Sequence, residues 1–193
     1  MGKFETINIL DMQRAVGEED LESILSGFSC PMNQEVQFFV RKNALEFAKK
    51  RMSITYLVVD ERSRVAAIFT LAHKPVQVTN MDLSRNMQKK AQRHAQLDEG
   101  TNTYMMSAFL LAQFGKNYQY GVSLITGQEL MDLTIFTLKE IQTLIGGGMV
   151  YLECEEKPQL LNFYQGEKNN FRKFGERYSN KDATKYIQLL KFF

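Results

Sequence analysis

Apolar residues in this chain fall into short runs and into stripes spaced by three or four, and the two patterns predict different elements. Runs at 4–10, 54–59, 65–72, 108–114, 149–153 and 186–192 predict strands, rich as they are in Val, Ile, Leu, Phe and Tyr. Leu21, Ile24, Leu25 and Phe28 recur at helical spacing behind Glu18, Glu19 and Asp20, acids that suit a helix start. Asn33 is placed to cap a second helix, whose apolar face of Val36, Phe39, Val40, Leu45, Phe47 and Ala48 runs to Lys49 and Lys50. The polar turn Asp60–Arg64 makes the second and third strands a hairpin. Residues 82–96 predict an exposed basic helix with a thin stripe of Leu83, Met87, Ala91 and Ala95. A long helix opens at Thr126, buries Leu130, Leu133, Thr134, Leu138, Ile141 and Leu144, and stops at Gly146–Gly148. Pro158 suits the first turn of a short helix ending at Tyr164. This order predicts an α/β fold of the α+β, mixed-sheet kind. Helices pack on the sheet, antiparallel pairing comes first and a strand–helix–strand crossover lies in the middle, all in a single domain over residues 1–193.

Composition narrows this only slightly. Hydrophobic residues at 44% and charged residues at 24% exclude a disordered chain. A net charge of +2 excludes a strongly basic nucleic-acid binder but leaves room for a local patch. Arg85, Lys89, Lys90 and Arg93 are such a cluster, read either as a solvated helix face or as an RNA contact. Cys30 and Cys154 make no disulfide framework and have no zinc-ligand spacing, so they are expected to be core thiols in a reducing compartment, with no metal. With no signal-peptide core and no apolar run of membrane-spanning length, a soluble cytoplasmic protein is expected.

The candidate chemistry begins where the central strand runs into Gly115. A glycine there marks either a bulge, at which Phe114 and Lys116 offer their backbone to a peptide-like ligand, or a plain strand end. Ahead lies the start of the long helix, where Gly127 would let a phosphate approach the unpaired amides of the first turn. The same residues also read as a capping box of Thr126 and Glu129, which needs no ligand. Tyr164 is the candidate proton donor, because a phenol titrates close enough to an alkyl thiol to protonate a departing thiolate. It also reads as a packing residue beside Phe163. Glu153 and Glu155 are candidate bases that spacing does not separate. His73 and His94 have no nucleophile or carboxylate at a telling distance, which disfavours a serine or cysteine hydrolase, and no Walker loop or dinucleotide fingerprint appears.

Taken in order, these residues resemble the GNAT acyltransferase superfamily. The resemblance is clearest from Leu110 to Phe174, about a third of the chain. Leu110–Asn117 is similar to the family's fourth strand, Ile125–Met131 to the end of its pyrophosphate loop and following helix. Leu152–Glu153, Phe163–Tyr164 and Asn170–Phe171 are similar to its fifth strand, its tyrosine helix and the Gly-Phe before its sixth strand. The loop is atypical: where the family has Arg or Gln, two residues, Gly, one residue, and Gly or Ala, this chain has Val122–Gly127, keeping only the last glycine. The resemblance implies a mostly antiparallel twisted sheet flanked by helices and direct transfer of an acetyl group from acetyl-CoA to a primary amine. It implies that Phe114, Gly115 and Lys116 meet pantetheine and that Leu124, Ile125, Thr126, Gly127 and Gln128 hold the pyrophosphate. Tyr164 would protonate the thiolate, with Glu153 as base. The acceptor would be a small molecule, a protein or an aminoacyl-tRNA, and a homodimer is compatible with the family. The alternatives are a noncatalytic module that keeps the fold without the loop, and an RNA-binding protein.

Overall fold

Residues 3–180 and 183–193 are described by the structure, a computed structural model. Contacts group the chain into two compact units, Met1–Ala72 with Leu111–Glu140 and His73–Leu110 with Ile141–Phe193.

In the first unit, β1 (Phe4–Asn8), β2 (Ile54–Asp60) and the opening half of β3 (Val65–Thr79) form an antiparallel ribbon, registered Phe4↔Asp60 to Asn8↔Tyr56 and Ile54↔Leu71 to Val59↔Val65. The hairpin turn closes because Asp60 accepts from the backbone N–H groups of Arg62 and Arg64 and holds the Arg64 guanidinium at 2.6 Å. Four helices follow β1: α1 (Ile9–Val16), α2 (Glu18–Ser26), α3 (Gln34–Lys42) and α4 (Ala44–Lys49). Their buried faces, including Leu21, Leu25, Val36, Val40 and Ala48, form one core with Leu57, Val59 and Ile68 of the ribbon. The end of β5 (Thr103–Lys116) and most of α6 (Gly127–Ile145) complete this unit.

The second unit contains the rest of β3 and β5, a 3-10 turn at Asn80–Asp82, α5 (Arg85–Ala91), β4 (Leu97–Asp98), β6 (Met149–Glu155), α7 (Pro158–Gln165), β7 (Arg172–Ser179) and β8 (Thr184–Phe192). β6 runs parallel to β5 at Phe109↔Val150 and Leu110↔Tyr151, and antiparallel to β8 along all of Met149↔Phe192 to Glu155↔Tyr186. β7 pairs antiparallel with β8, and β4 with β5. Tyr104, Met106, Met149, Phe174 and Leu190 centre its core. The strand order is β1-β2-β3-β5-β6-β8-β7, with β4 on β5.

Several elements depart from the sequence reading. The first strand ends at Asn8 rather than Leu10, because the Asn8 carboxamide accepts from the Leu10 N–H (2.9 Å) and starts α1 at once. Asn33 caps α3 as expected, taking the Val36 N–H at 3.1 Å, but the helix expected to reach Lys50 stops at Asn43 and restarts as α4. β3 continues past Ala72 through exposed Lys74 and Pro75 to Thr79. The basic helix covers Arg85–Ala91 only, and Leu97–Asp98, just beyond the expected helix, forms β4.

Candidate active site

β5 ends against the first unit's helices. A Cβ on Gly115 would sit 2.7 Å from Val36 Cγ1 and 3.6 Å from Cys30 Sγ, so α3 packs where any side chain would stand, and glycine is required by that approach. Phe114 and Lys116, flanking it, are half-buried. The Lys116 ammonium lies 5.6 Å from the Tyr118 ring centroid. The chain is turned out of the strand by Asn117, which sequence reasoning passed over. Its N–H donates to Ala66 O (2.9 Å) and its side-chain amide to Val65 O (2.8 Å). Its carboxamide oxygen accepts from the N–H groups of Ser29 (2.9 Å) and Gln119 (3.0 Å). A buried Asn so fully engaged fixes where the loop departs. The signal was there in a polar residue directly after an apolar run, but its partners lie 88 and 52 residues away.

Along the loop, Val122 and Thr126 are exposed, Leu124 is half-buried and Ile125 is buried beneath them. Thr126 and Glu129 form the capping box. Thr126 donates its N–H and its hydroxyl to Glu129 Oε2, both at 2.8 Å, and the Glu129 N–H donates to Thr126 Oγ1 at 3.1 Å. The Thr126 N–H and hydroxyl hold the Glu129 carboxyl below its ordinary value of 4.5. Two first-turn amides are therefore already bonded. Gly127 and Gln128 stand between them at the helix start, the direction from which an anion meets the helix dipole. A phosphate arriving here meets the Glu129 carboxylate. Glu129→Gln keeps the box, since Gln caps as Glu does, and removes the repulsion. Where this helix start takes a phosphate, the change is expected to tighten that binding about three- to tenfold in a calorimetric titration, the order of a nearby charge pair screened by solvent.

In the second unit Tyr164 lies in the last turn of α7, whose first turn carries Pro158 as expected. Its ring is buried, edge-on to Phe163 (5.0 Å) and Phe171 (6.0 Å). Burial pushes the phenol well above its ordinary 10.0, and the Cys154 thiol, as a thiolate, would push it further. Cys154 is itself pushed by burial to about 11, and burial also raises Cys30, so neither is a thiolate nucleophile at neutral pH.

Glu153 alternates with Cys154 on β6 and so points to the opposite face. There its Oε2 accepts from Arg177 Nε and Nη2 (2.8 and 2.7 Å) and its Oε1 from Gln188 (2.8 Å). Both oxygens are bonded, so the Glu153 carboxylate ties β6 to β7 and β8 across the sheet. Glu155 pairs with Lys157 at 2.6 Å. His73 shares a hydrogen bond with Ser107 (3.0 Å), and His94 stacks on Phe192. No helix of the described residues is long and apolar enough to cross a membrane, and no group of three His, Cys, Asp or Glu among them could hold a metal ion.

No protein-family model and no curated protein matches the sequence. Solved structures do match in shape. AtaT complexed with acetyl-methionyl-tRNAfMet aligns at TM-score 0.65 and 12% identity, over 98% of this chain and 94% of that one. A Tyr-to-Phe mutant of KacT aligns at 0.65 and 13%, over 99% and 95%. AtaTR bound with acetyl-CoA aligns at 0.60 and 11%, over 100% and 94%. At these identities the likeness is one of fold, and it covers nearly the whole of each chain. The chain thus has the fold that the residues from Leu110 to Phe174 resemble, that of the GNAT acyltransferases.

Proposed function

We propose that the protein is an acetyl-CoA-dependent N-acetyltransferase that moves the acetyl group directly to a primary amine. The observation that carries this reading is a fold followed from end to end in a structure that holds acetyl-CoA. It is joined in this chain to a strand end, a loop and a helix start built from Gly115, Asn117 and Gly127. In the reading, Phe114 and Lys116 flank the pantetheine arm and the backbone of Leu124 to Gln128 takes the pyrophosphate. The amine lone pair attacks the thioester carbonyl carbon, the C–S bond breaks, and the tetrahedral nitrogen gives up one proton as the sulphur gains one. Tyr164 donates a hydrogen bond to the sulphur as the C–S bond breaks, and the proton that the nitrogen gives up reaches the sulphur through water. Water takes the nitrogen's proton, since Glu153 is held by Arg177 and Gln188. The raised Cys30 and Cys154 support direct transfer over an acyl-cysteine intermediate. The amine belongs to a small molecule, a protein or an aminoacyl-tRNA; the complex of AtaT with acetyl-methionyl-tRNAfMet supports the last.

Acetyl-CoA at a hundred times its dissociation constant is expected to stabilise the fold by about 2.7 kcal/mol, a rise in Tm of roughly 5–11 °C for a chain of this size. Free thiol should then appear when a competent amine is added. No shift at millimolar acetyl-CoA would refute the reading. That result would favour the second one, a noncatalytic module of the same fold, which the capping of the Thr126 and Glu129 amides supports. If water is the proton acceptor, Glu153→Gln keeps turnover within about threefold, well inside the loss expected on removing a true general base.

A further inference from the structure

We propose that the second unit carries a binding cleft for the phosphoryl group of a phosphate monoester. The cleft is a cavity of about 210 Å³ whose polar wall is Ser84, Asn86, Lys90, Asn170, Arg172 and Lys191. α5 supplies Asn86 and Lys90, and Ser84 is that helix's N-cap. Arg172 opens β7, and Lys191 lies near the end of β8. Three cations converge, and among the described residues lining the cavity none is acidic.

Three details separate this cleft from a stretch of solvated lysines. First, Lys90 and Arg172 make no ion pair among the described residues, so no carboxylate there neutralises the charge that they bring to the cavity. Second, Lys191 is placed by a 2.8 Å hydrogen bond to the Asn169 carbonyl and lies 5.9 Å from the Phe171 ring centroid, so its position is set by the fold. Third, Asn170 sits at φ 55, the left-handed region that glycine fills most cheaply. An asparagine there keeps the turn and adds an amide to the cavity wall.

The chemistry of the lining selects the ligand. A phosphate monoester carries about −1.5 to −2 charges and three acceptor oxygens, matched to one guanidinium fork, two ammoniums and two amides. At about 30 Å³ per water, the cavity holds the equivalent of roughly seven waters, enough for a phosphoryl group and a few attached atoms. The rest of the ligand would lie outside, toward Phe192, which lines the cleft and stacks on His94 with centroids 5.9 Å apart and planes 15° apart. That aromatic shelf suits a planar base, so the phosphate is that of a nucleotide, free or at the 5′ end of an RNA strand.

Calorimetry with inorganic phosphate, adenosine 5′-monophosphate and one RNA oligonucleotide, with and without its 5′-phosphate, tests this on the full chain. Arg172→Glu and Lys90→Glu serve as variants; both positions are exposed, and circular dichroism reports that each folds. The expected result is saturable binding of the monophosphate, weakened about tenfold or more by either reversal and falling with salt. Binding of adenosine monophosphate assigns the free nucleotide as source, and binding of the 5′-phosphorylated RNA alone assigns the strand end. The proposal is overturned if no probe binds saturably, if both variants bind as the parent does, or if RNA binds equally well without its terminal phosphate. Acetyl-CoA titrated in the same series reports separately on acyl transfer.

Discussion

On the proposed function, Tyr164→Phe is expected to lower turnover about 10- to 1,000-fold and to leave acetyl-CoA affinity within about a factor of two, the signature of a group that acts only as the C–S bond breaks. The substitution removes one oxygen from a ring that is buried among Phe163 and Phe171, so the packing of α7 is kept. The raised pKa decides how the phenol works. Burial disfavours the phenolate, so Tyr164 stays protonated through the neutral and mildly alkaline range. Full transfer from such an acid to an alkyl thiolate runs uphill by about 1.4 kcal/mol for each pH unit between them. In the proposed reaction the phenol therefore acts on the sulphur's developing charge chiefly as a hydrogen-bond donor. Two consequences follow for the pH profile of kcat. The acidic limb belongs to the amine, whose neutral form must attack, and no alkaline limb from Tyr164 appears below about pH 10. An alkaline fall in kcat that Tyr164→Phe abolishes would show a phenol of ordinary acidity and contradict the burial. Unchanged turnover in the variant would remove Tyr164 from the chemistry.

The elements that periodicity foretold are those whose stability is local. Asn33, Pro158 and the Asp60 turn carry their own hydrogen-bond logic within a few residues, and each stands where the pattern placed it. α1 was hidden because Ile7, Ile9 and Leu10 continue an apolar run through Asn8. The run gives no period until the Asn8 cap is noticed. β3 was cut short because His73, Lys74 and Pro75 read as a stop, although an exposed stretch of strand tolerates all three. At the candidate site the sequence named Gly115, Thr126, Gly127 and Tyr164, but it offered two readings of each. At Gly115 the structure shows a feature that neither reading named, close packing, because Val36 fills the space a Cβ would need, and at Thr126 it shows the capping box. Glu153 shows what spacing misses. Its partner Gln188 faces it across the β6–β8 ladder, and Arg177 comes from β7, at separations of 35 and 24 residues. The cleft of Lys90, Arg172 and Lys191 is illegible in sequence for the same reason.

Asn117→Leu is expected to destabilise the fold by about 3–4 kcal/mol, lowering Tm by roughly 6–16 °C in a chain of this length. The carboxamide of Asn117 is fully buried and serves three backbone groups: Val65 O, Ser29 N–H and Gln119 N–H. Leucine matches its size and serves none of them. The Val65 bond is wholly buried, so its loss carries the full cost of an orphaned carbonyl, about 1–3 kcal/mol. The Ser29 and Gln119 amides are only partly buried, and water recovers some of their loss. Asn117→Asp separates the two halves of the role. It keeps the acceptor for Ser29 and Gln119 but turns a carboxylate toward the Val65 carbonyl, so it too destabilises, and the loss shrinks as falling pH protonates the aspartate and restores a donor. A melting temperature in Asn117→Leu within about 2 °C of the parent, less than 1 kcal/mol on this scale, would mean that the strand end is held by packing at Gly115 and Val36 alone. The effect reaches function through the backbone. The Asn117 N–H to Ala66 and the Tyr118 N–H to Ser29 (2.7 Å) depend on the same turn, and that turn starts the loop leading to Gly127. On the proposed function, acetyl-CoA affinity is therefore expected to fall in Asn117→Leu even at temperatures where the variant is folded, in contrast to Tyr164→Phe, which is expected to spare binding and lose rate.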